Sequence, residues 1–360
     1  MAGSGKAHLR PEGTALLRVE DLVVEFPVGR TGLKVNAVSG ISIDVMEGET
    51  VGLVGESGCG KSTTGKAIMQ IPRPTSGSVV LEGTELTTLH GEELRKRRPR
   101  MQMIFQDPIS SLNPRRKVVD IVSEPLNIWK VGTKAEQEVR VRKVLDSVGI
   151  DVDQAGNRKP HEFSGGQCQR ICIARAVVMD PKVIICDEPV SALDVSVQAQ
   201  ILNLLQDMKR EYGLTLIFIA HDLAVVKNVS DRVVVMYLGK VCEVGPPDTL
   251  YAEPAHHYTK ALIDSIPEPD PTIRPSDTDA LEGDLPSPVL PPSGCRFRTR
   301  CPAASDFCSV EEPVLREVSP ESNHFVACHF PRAVGSFAGG VSALEAAAHA
   351  NSAVNAVAGS

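Results

Sequence analysis

One stretch, GLVGESGCGKSTTGKAIM at residues 52–69, restricts what this chain can fold into more than any other. Within it Gly55-Glu56-Ser57-Gly58-Cys59-Gly60-Lys61-Ser62 fits G-x-x-x-x-G-K-[ST] at every fixed position. Residues 50–54 read as a buried strand, and the run from Lys61 onward reads as a helix start. A strand, a bare turn and a helix N-terminus aim several backbone N–H groups at one point, where the helix dipole adds partial positive charge. Such a nest suits phosphate oxygens. Side chains at the glycines would clash with the ligand or forbid the dihedrals. Lys61 is expected to reach the β- and γ-phosphates, and the Ser62 hydroxyl to ligate Mg²⁺. Gly55, Ser57, Gly58, Cys59, Gly60 and Thr63 complete the expected nucleotide-binding loop. The bland alternative is a plain glycine turn before a helix, which the flanking strand and helix pattern disfavours.

A second motif is KVIICDEP, residues 182–189, an apolar strand ending in two acids. Acids at strand ends are common as turn formers, but in a chain with a phosphate loop they carry another meaning. Asp187 is expected to hold Mg²⁺ through water, and Glu188 to position or deprotonate an attacking water. A third motif, HEFSGGQCQRICIARAV at 161–177, opens another helix on a bare N-terminus at Ser164, Gly165, Gly166 and Gln167. That is a second anion cradle. Two cradles so far apart in sequence are both useful if two copies face one another, each presenting its cradle to the other's nucleotide.

These residues together resemble the ATP-binding cassette family over roughly residues 15–265. FSGGQ resembles the family's signature, Gln106 in MIFQDP its Q-loop, and SALD, ending at Asp194, its D-loop. His221 in IFIAHDL matches the switch histidine that bonds the γ-phosphate, and Phe26 sits where the family places an adenine-stacking aromatic. Three further stretches point to the ATPase subunits of bacterial oligopeptide/dipeptide importers: DPISSLNPR after the Q-loop, EPAHHYTKALIDSIP at 253–267, and the cysteine-containing stretch 291–330. One departure is Cys168, where a basic residue usually follows the signature; the expectation is a weaker phosphate contact.

The resemblance implies an α/β P-loop NTPase of the ABC fold. Its parts would be a RecA-like mixed and parallel sheet core, an antiparallel β subdomain and a helical signature subdomain over about 107–180, joined by a small irregular cysteine module. It also implies that ATP is the substrate and Mg²⁺, through Ser62, Gln106 and Asp187, its metal, with Glu188 and His221 as the catalytic pair. The partners would be a second ATPase chain (a heterodimer, with a homodimer as the alternative), two transmembrane permease subunits and an extracytoplasmic substrate-binding protein. The place would be the cytoplasmic face of the membrane.

Cys295, Cys301, Cys308 and Cys328 fall in a C-x5-C-x6-C-x19-C pattern. Clustered thiols in a reducing compartment suggest a metal. The family branch suggests a [4Fe–4S] cluster; Zn²⁺ is the rival, with His329 as a substitute ligand, and unligated thiols remain open. The segment has few apolar residues, so it is expected to need a staple. Arg296, Arg298 and Arg300 lie among the thiols, either as a solvated face or offsetting a negative cluster.

Composition limits the rest. Of 360 residues, 42% are hydrophobic but only 4% aromatic, so aliphatic packing must dominate. The net charge of −7 lies entirely in the stretch from Asp264 on, which holds thirteen acids against six basic residues. The neutral body argues against a nucleic-acid partner and against the rival of a soluble ABC ATPase in translation or DNA repair. Import of nickel or another small solute remains a further alternative, while the absence of an N-K-x-D motif sets a GTPase aside. No apolar run approaches a membrane span and residues 1–10 lack an apolar signal core. The expected layout is a flexible 1–14, an ABC domain at 15–265, an acidic linker at 266–293 that holds eight of the 26 prolines, the cysteine module at 294–330, and a disordered 331–360. Residues 115–150 read as one helical stretch, 195–211 as an amphipathic helix packing through Leu202, Leu205 and Met208, and 232–244 as a hairpin turning at Leu238-Gly239.

Overall fold

Apolar residues two apart along a strand bury one face and leave the other to solvent. Leu17, Val19, Leu22 and Val24 do this in β1 (Leu17–Pro27), each at most 1% exposed. The phase slips between Val19 and Leu22 because Asp21 adopts a left-handed φ of 49° and the register shifts there. The computed structural model describes residues 5–266 and 284–333. The proposed tail from 334 on, the linker's 267–283 and residues 1–4 lie outside the described residues. The chain divides into two units, one of residues 1–44, 53–87 and 221–360, the other of 45–52 and 88–220.

In the first unit, β2 (Lys34–Val45), β1, β4 (Ser76–Leu81) and β5 (Thr84–Glu85) form a sheet in the order β2-β1-β4-β5, with β1 antiparallel to β4. The strand β3 (Thr50–Val54) starts in the second unit and enters the first just before α1 (Lys61–Ile68). The second unit holds α2 (Gly91–Arg97), β6 (Met101–Ile104), α3 (Pro108–Ser111), α4 (Val118–Trp129), α5 (Lys134–Ser147), α6 (Val152–Ala155), α7 (Gly165–Val177), β7 (Val183–Asp187), α8 (Val195–Tyr212) and β8 (Thr215–Ala220). Strands β6, β7 and β8 run parallel, Met101 beside Val183 and Val183 beside Thr215. Every residue of β7 and β8 is buried, as continuous apolar runs inside a parallel sheet must be.

The helical stretch 115–150 is two helices rather than one. Lys130 closes α4 in the left-handed region and Gly132 has φ 69°, while Thr133 starts α5 with a capping box to Glu136. In α8 the buried stripe is Ile201, Leu204, Leu205 and Met208; Leu202 sits at its margin.

The first unit resumes with α9 (Leu223–Val229), β9 (Arg232–Tyr237), β10 (Lys240–Gly245), α10 (Pro247–Ala252), α11 (His257–Asp264), α12 (Phe307–Val310), β11 (Arg316–Glu317) and β12 (Phe325–Val326). Leu238 and Gly239 turn the β9–β10 hairpin with φ of 44° and 78°, the two positive values a two-residue hairpin turn demands. The cysteine module packs against the strands before it. Its β12 pairs with β10, and Phe297 is buried against Tyr237 and Tyr258 at 5.2 and 5.4 Å between ring centres. The apolar surface that its sequence lacks is supplied by the preceding strands. Part of the expected linker is also docked, since Pro288 O accepts from Asn36 N at 2.9 Å.

The N-terminal segment is tied down from residue 6, where Lys6 pairs with Glu20 and Asp21 and Arg10 N donates to Asp44 Oδ2 at 2.7 Å. His8 is buried, donating Nε2–H to Ser42 O at 2.8 Å, while its Nδ1 has no hydrogen-bond partner among the described residues. Burial pushes its pKa down to about 4. Below pH 6.5 the unfolded chain therefore takes up a proton that the native state refuses, until about pH 4. Stability should fall as pH drops through that window, by at most roughly 3 kcal/mol from this group. Urea midpoints measured from pH 7 to 4 should show a shallower decline for His8→Gln than for wild type; equal slopes would remove His8 as the cause.

Candidate functional site

In the first unit, the turn between β3 and α1 is built so that only glycine fits at two places. A Cβ on Gly55 would stand 2.1 Å from Met236 O, and one on Gly60 2.2 Å from Ala37 O; their φ values of 150° and 104° are also unfavourable to any side chain. The loop backbone is thus pressed against its supports, with Ser57 and Gly58 exposed at its crest. Lys61 is 4% exposed and folds back, its Nζ donating to Gly55 O at 2.7 Å and Glu56 O at 2.9 Å. A phosphate would have to replace those carbonyls. Cys59 is fully buried and its N–H bonds Glu56 O at 3.2 Å, so its side chain packs inward rather than toward a ligand. Ser62 and Thr63 stand half-buried in the first turn of α1, whose opening turn carries no acidic residue.

Two contacts to this loop had no signal in the sequence. Tyr258 Oη accepts from Glu56 N at 2.8 Å, and Arg300 of the cysteine module grips the Glu56 carboxylate with two bonds of 2.8 and 3.1 Å. Phe26, near the end of β1, is 38% exposed and is therefore not a core residue. His221 is exposed just before Asp222, whose Oδ1 caps α9 by accepting from Ala224 N and Val225 N.

In the second unit, β7 carries Asp187 to its end, 3% exposed, and Glu188 follows with φ 49°. That conformation costs a non-glycine residue of the order of 1–2 kcal/mol. It is held by Glu188 N donating to Ile219 O at 3.0 Å and by Ser191 Oγ donating to Glu188 O at 3.1 Å. Gln106 Nε2 donates to Glu188 Oε2 at 2.9 Å, joining the expected Q-loop to the expected base. The following Asp107 caps α3 through Ile109 N and Ser110 N.

Ser164 is the N-cap of α7. Its Oγ accepts from Gln167 N at 3.3 Å, and its N–H donates to Gln167 Oε1 at 3.0 Å. Gln167 therefore serves the helix start. A Cβ on Gly166 would lie 2.5 Å from Val197 Cγ1 of α8, and one on Gly165 3.5 Å from Leu193. Cys168 is buried and its Sγ donates to Pro160 O at 3.5 Å, so the departure from a basic residue falls on an inward-facing side chain. Asp194 is exposed at the N-cap of α8 and makes no side-chain cap bond.

Cys295, Cys301, Cys308 and Cys328 line one pocket with His256, His329 and Arg298. Burial pushes Cys295 up to about 11 and Cys328 up to about 12. Four thiols in one pocket are the donor set an iron–sulfur cluster takes. Among the described residues, however, no group of three or more His, Cys, Asp or Glu is drawn close enough to hold a metal ion. His329 Nε2 donates to Glu311 O at 2.9 Å. Two of the arginines turn away from the thiols: Arg296 donates to Leu238 O and Arg300 to Glu56. Neither forms the solvated face that the sequence allowed.

Comparison with known proteins accords with this geometry. A family model described as ABC transporter matches residues 38–191, and one described as oligopeptide/dipeptide transporter, C-terminal region, matches 242–308. The chain is 50% identical over 323 residues to the oligopeptide transport ATP-binding protein OppF of Escherichia coli, covering 87% of this chain and 95% of that one. Among solved structures, cbiO1 from Clostridium perfringens, part of an ABC transporter complex, superposes with a TM-score of 0.59 at 31% identity over 67% of this chain and 92% of that one. A dimeric ATP-binding cassette in a post-hydrolysis state with ADP and Pi gives 0.58 at 28% identity over 64% of this chain and 98% of that one. With half its residues shared across nearly the whole length of such relatives, the chain belongs to the ABC transporter ATPase family, in its oligopeptide/dipeptide branch.

Proposed function

We propose that this chain hydrolyses ATP to power the import of peptides. The observation that carries the reading is the 50% identity, over 87% of the chain, to a protein named for oligopeptide transport. The C-terminal family match supports it, because that region is described for oligopeptide and dipeptide transporters.

In this reading the N–H groups of residues 55–63 and the Lys61 ammonium bind the β- and γ-phosphates, and Phe26 stacks on adenine. Ser62, Gln106 and Asp187 hold Mg²⁺, which neutralises phosphate charge when bound. Glu188 orients and deprotonates the attacking water, and His221 bonds the γ-phosphate. Ser164, Gly165 and Gly166 face the nucleotide of a second ATPase chain, with Asp194 at that junction and Gln167 securing the helix start. Closure depends on phosphate contacts that hydrolysis removes, so ATP and ADP differ in affinity for the closed pair.

The partners are two permease subunits, a substrate-binding protein and a second ATPase subunit, with a heterodimer favoured. Among the described residues no helix is long and apolar enough to cross a membrane, which suits a peripheral subunit on the cytoplasmic face. Cys295, Cys301, Cys308 and Cys328 are the residues that would hold a [4Fe–4S] cluster, with Zn²⁺ as the rival; bound, the group would cross-link the module.

Two measurements follow. Glu188→Gln should retain ATP binding, lower the rate of phosphate release by at least about a hundredfold, and accumulate an ATP-bound dimer on gel filtration. Wild-type turnover in that variant would remove Glu188 from the role. Anaerobically purified protein carrying the cluster should absorb broadly near about 400 nm and bleach with reductant. Zinc analysis with no such band would favour Zn²⁺, and neither metal would leave the cysteines as thiols.

A further inference from the structure

The grip of Arg300 on Glu56 joins residues 244 apart in sequence, linking the cysteine module to the loop read above as the nucleotide site. Glu56 directly follows the first glycine of that loop, so its carboxylate has the same sign as a triphosphate. A carboxylate there is unfavourable to the ligand unless it is cancelled. Arg300 cancels it with a two-pronged contact at 2.8 and 3.1 Å, and its side chain is only 5% exposed. The fork geometry is one that arginine makes and lysine does not. The same guanidinium lies 6.0 Å from the centre of the Tyr237 ring, which packs 4.7 Å from Tyr258. Tyr258 in turn accepts from Glu56 N. Both the side chain and the backbone of Glu56 are thus held, one from the cysteine module and one from α11.

Arg300 is itself fixed by the turn that carries the thiols. Arg300 N donates to Phe297 O at 2.9 Å, Arg298 N to Cys295 O at 3.1 Å, and Cys295 N to Cys308 O at 2.8 Å. Cys301 is the next residue. At the other end, Glu56 O takes one of the bonds of the Lys61 ammonium. A continuous path of short contacts therefore runs from the cysteine turn through Arg300 and Glu56 to the lysine that receives phosphate.

Resting on the nucleotide-loop reading, we propose that Arg300 is a positioning residue for nucleotide binding: it neutralises the Glu56 carboxylate beside the loop, so that the cysteine module helps set affinity for ATP. Without Arg300, the uncancelled Glu56 charge competes with phosphate for Lys61.

The test is calorimetric titration of the full chain with magnesium β,γ-imido-ATP. Arg300→Gln should weaken binding about tenfold, Arg300→Lys less, and the pair Glu56→Gln with Arg300→Gln should recover most of the loss. An unchanged affinity in Arg300→Gln would overturn the proposal. So would an equal loss with and without Glu56→Gln, because a purely structural arginine would not be rescued by removing the charge it faces. If Arg300→Gln does not fold, Glu56→Gln alone decides: binding at least as tight as wild type supports the proposal, and weakened binding overturns it. Lys61→Ala separates the two readings, since binding as tight as wild type in that variant would remove the nucleotide-loop assignment, and the Arg300 proposal with it.

Discussion

Close backbone packing at two glycines is the constraint on which this molecule's chemistry rests. Met236 O and Ala37 O occupy the space that side chains on Gly55 and Gly60 would need. The loop can therefore exist in this form only with hydrogen at both positions. That closeness leaves Lys61 buried, with its ammonium bonded to the loop's own carbonyls. A buried ammonium is costly unless satisfied, and the loop's own carbonyls satisfy it. Fixed dipoles and one caged charge are the kind of prepared environment that electrostatic catalysis of phosphoryl transfer uses, and the role of this loop in it is the reading proposed above.

The cysteine module is part of the same first unit. Glu243 of β10 is fully buried and accepts from Ala255 N at 2.7 Å, His256 N at 3.0 Å and His324 Nε2 at 2.6 Å. One carboxylate thereby ties β10 to the start of α11 and to the residue before β12. His256 is held down to about 4 by burial, which keeps Nδ1 free to accept from Tyr258 N at 3.0 Å. Charged and polar groups buried this deeply are stable only with all partners in place. The module is thus tied to the body of the first unit through buried polar bonds. Its arginines extend that attachment to Leu238 and Glu56.

Features whose partners lie a few residues apart along the chain are legible in the sequence. The strand, turn and helix around Lys61, the buried runs of β7 and β8, the N-cap at Ser164 and the hairpin at Leu238-Gly239 all follow from patterns within a short window. Sequence and structure part where a short signal is overridden or a distant partner intervenes. Residues 115–150 kept one helical period in sequence, yet Gly132 and the Thr133 cap divided them. Residues 5–14 offered no pattern, yet Ser42 and Asp44 hold them. Cys59 and Cys168 stood within motifs but point inward, because the turn of the loop and the phase of α7 direct them there.

By itself, the sequence determined the chemistry on offer: a glycine loop ending in Lys61 and Ser62, acids after an apolar strand at Asp187 and Glu188, and a bare helix start at Ser164. These are contiguous motifs whose dihedral and charge requirements are met by neighbours along the chain. Only the tertiary structure decided what each group faces. It set Gln106 against Glu188, Gly166 against Val197, and Arg300 against Glu56 across 244 residues. No periodicity encodes such pairs. They exist because folding brings distant segments within hydrogen-bond reach, where the cost of burying a charge selects its partner.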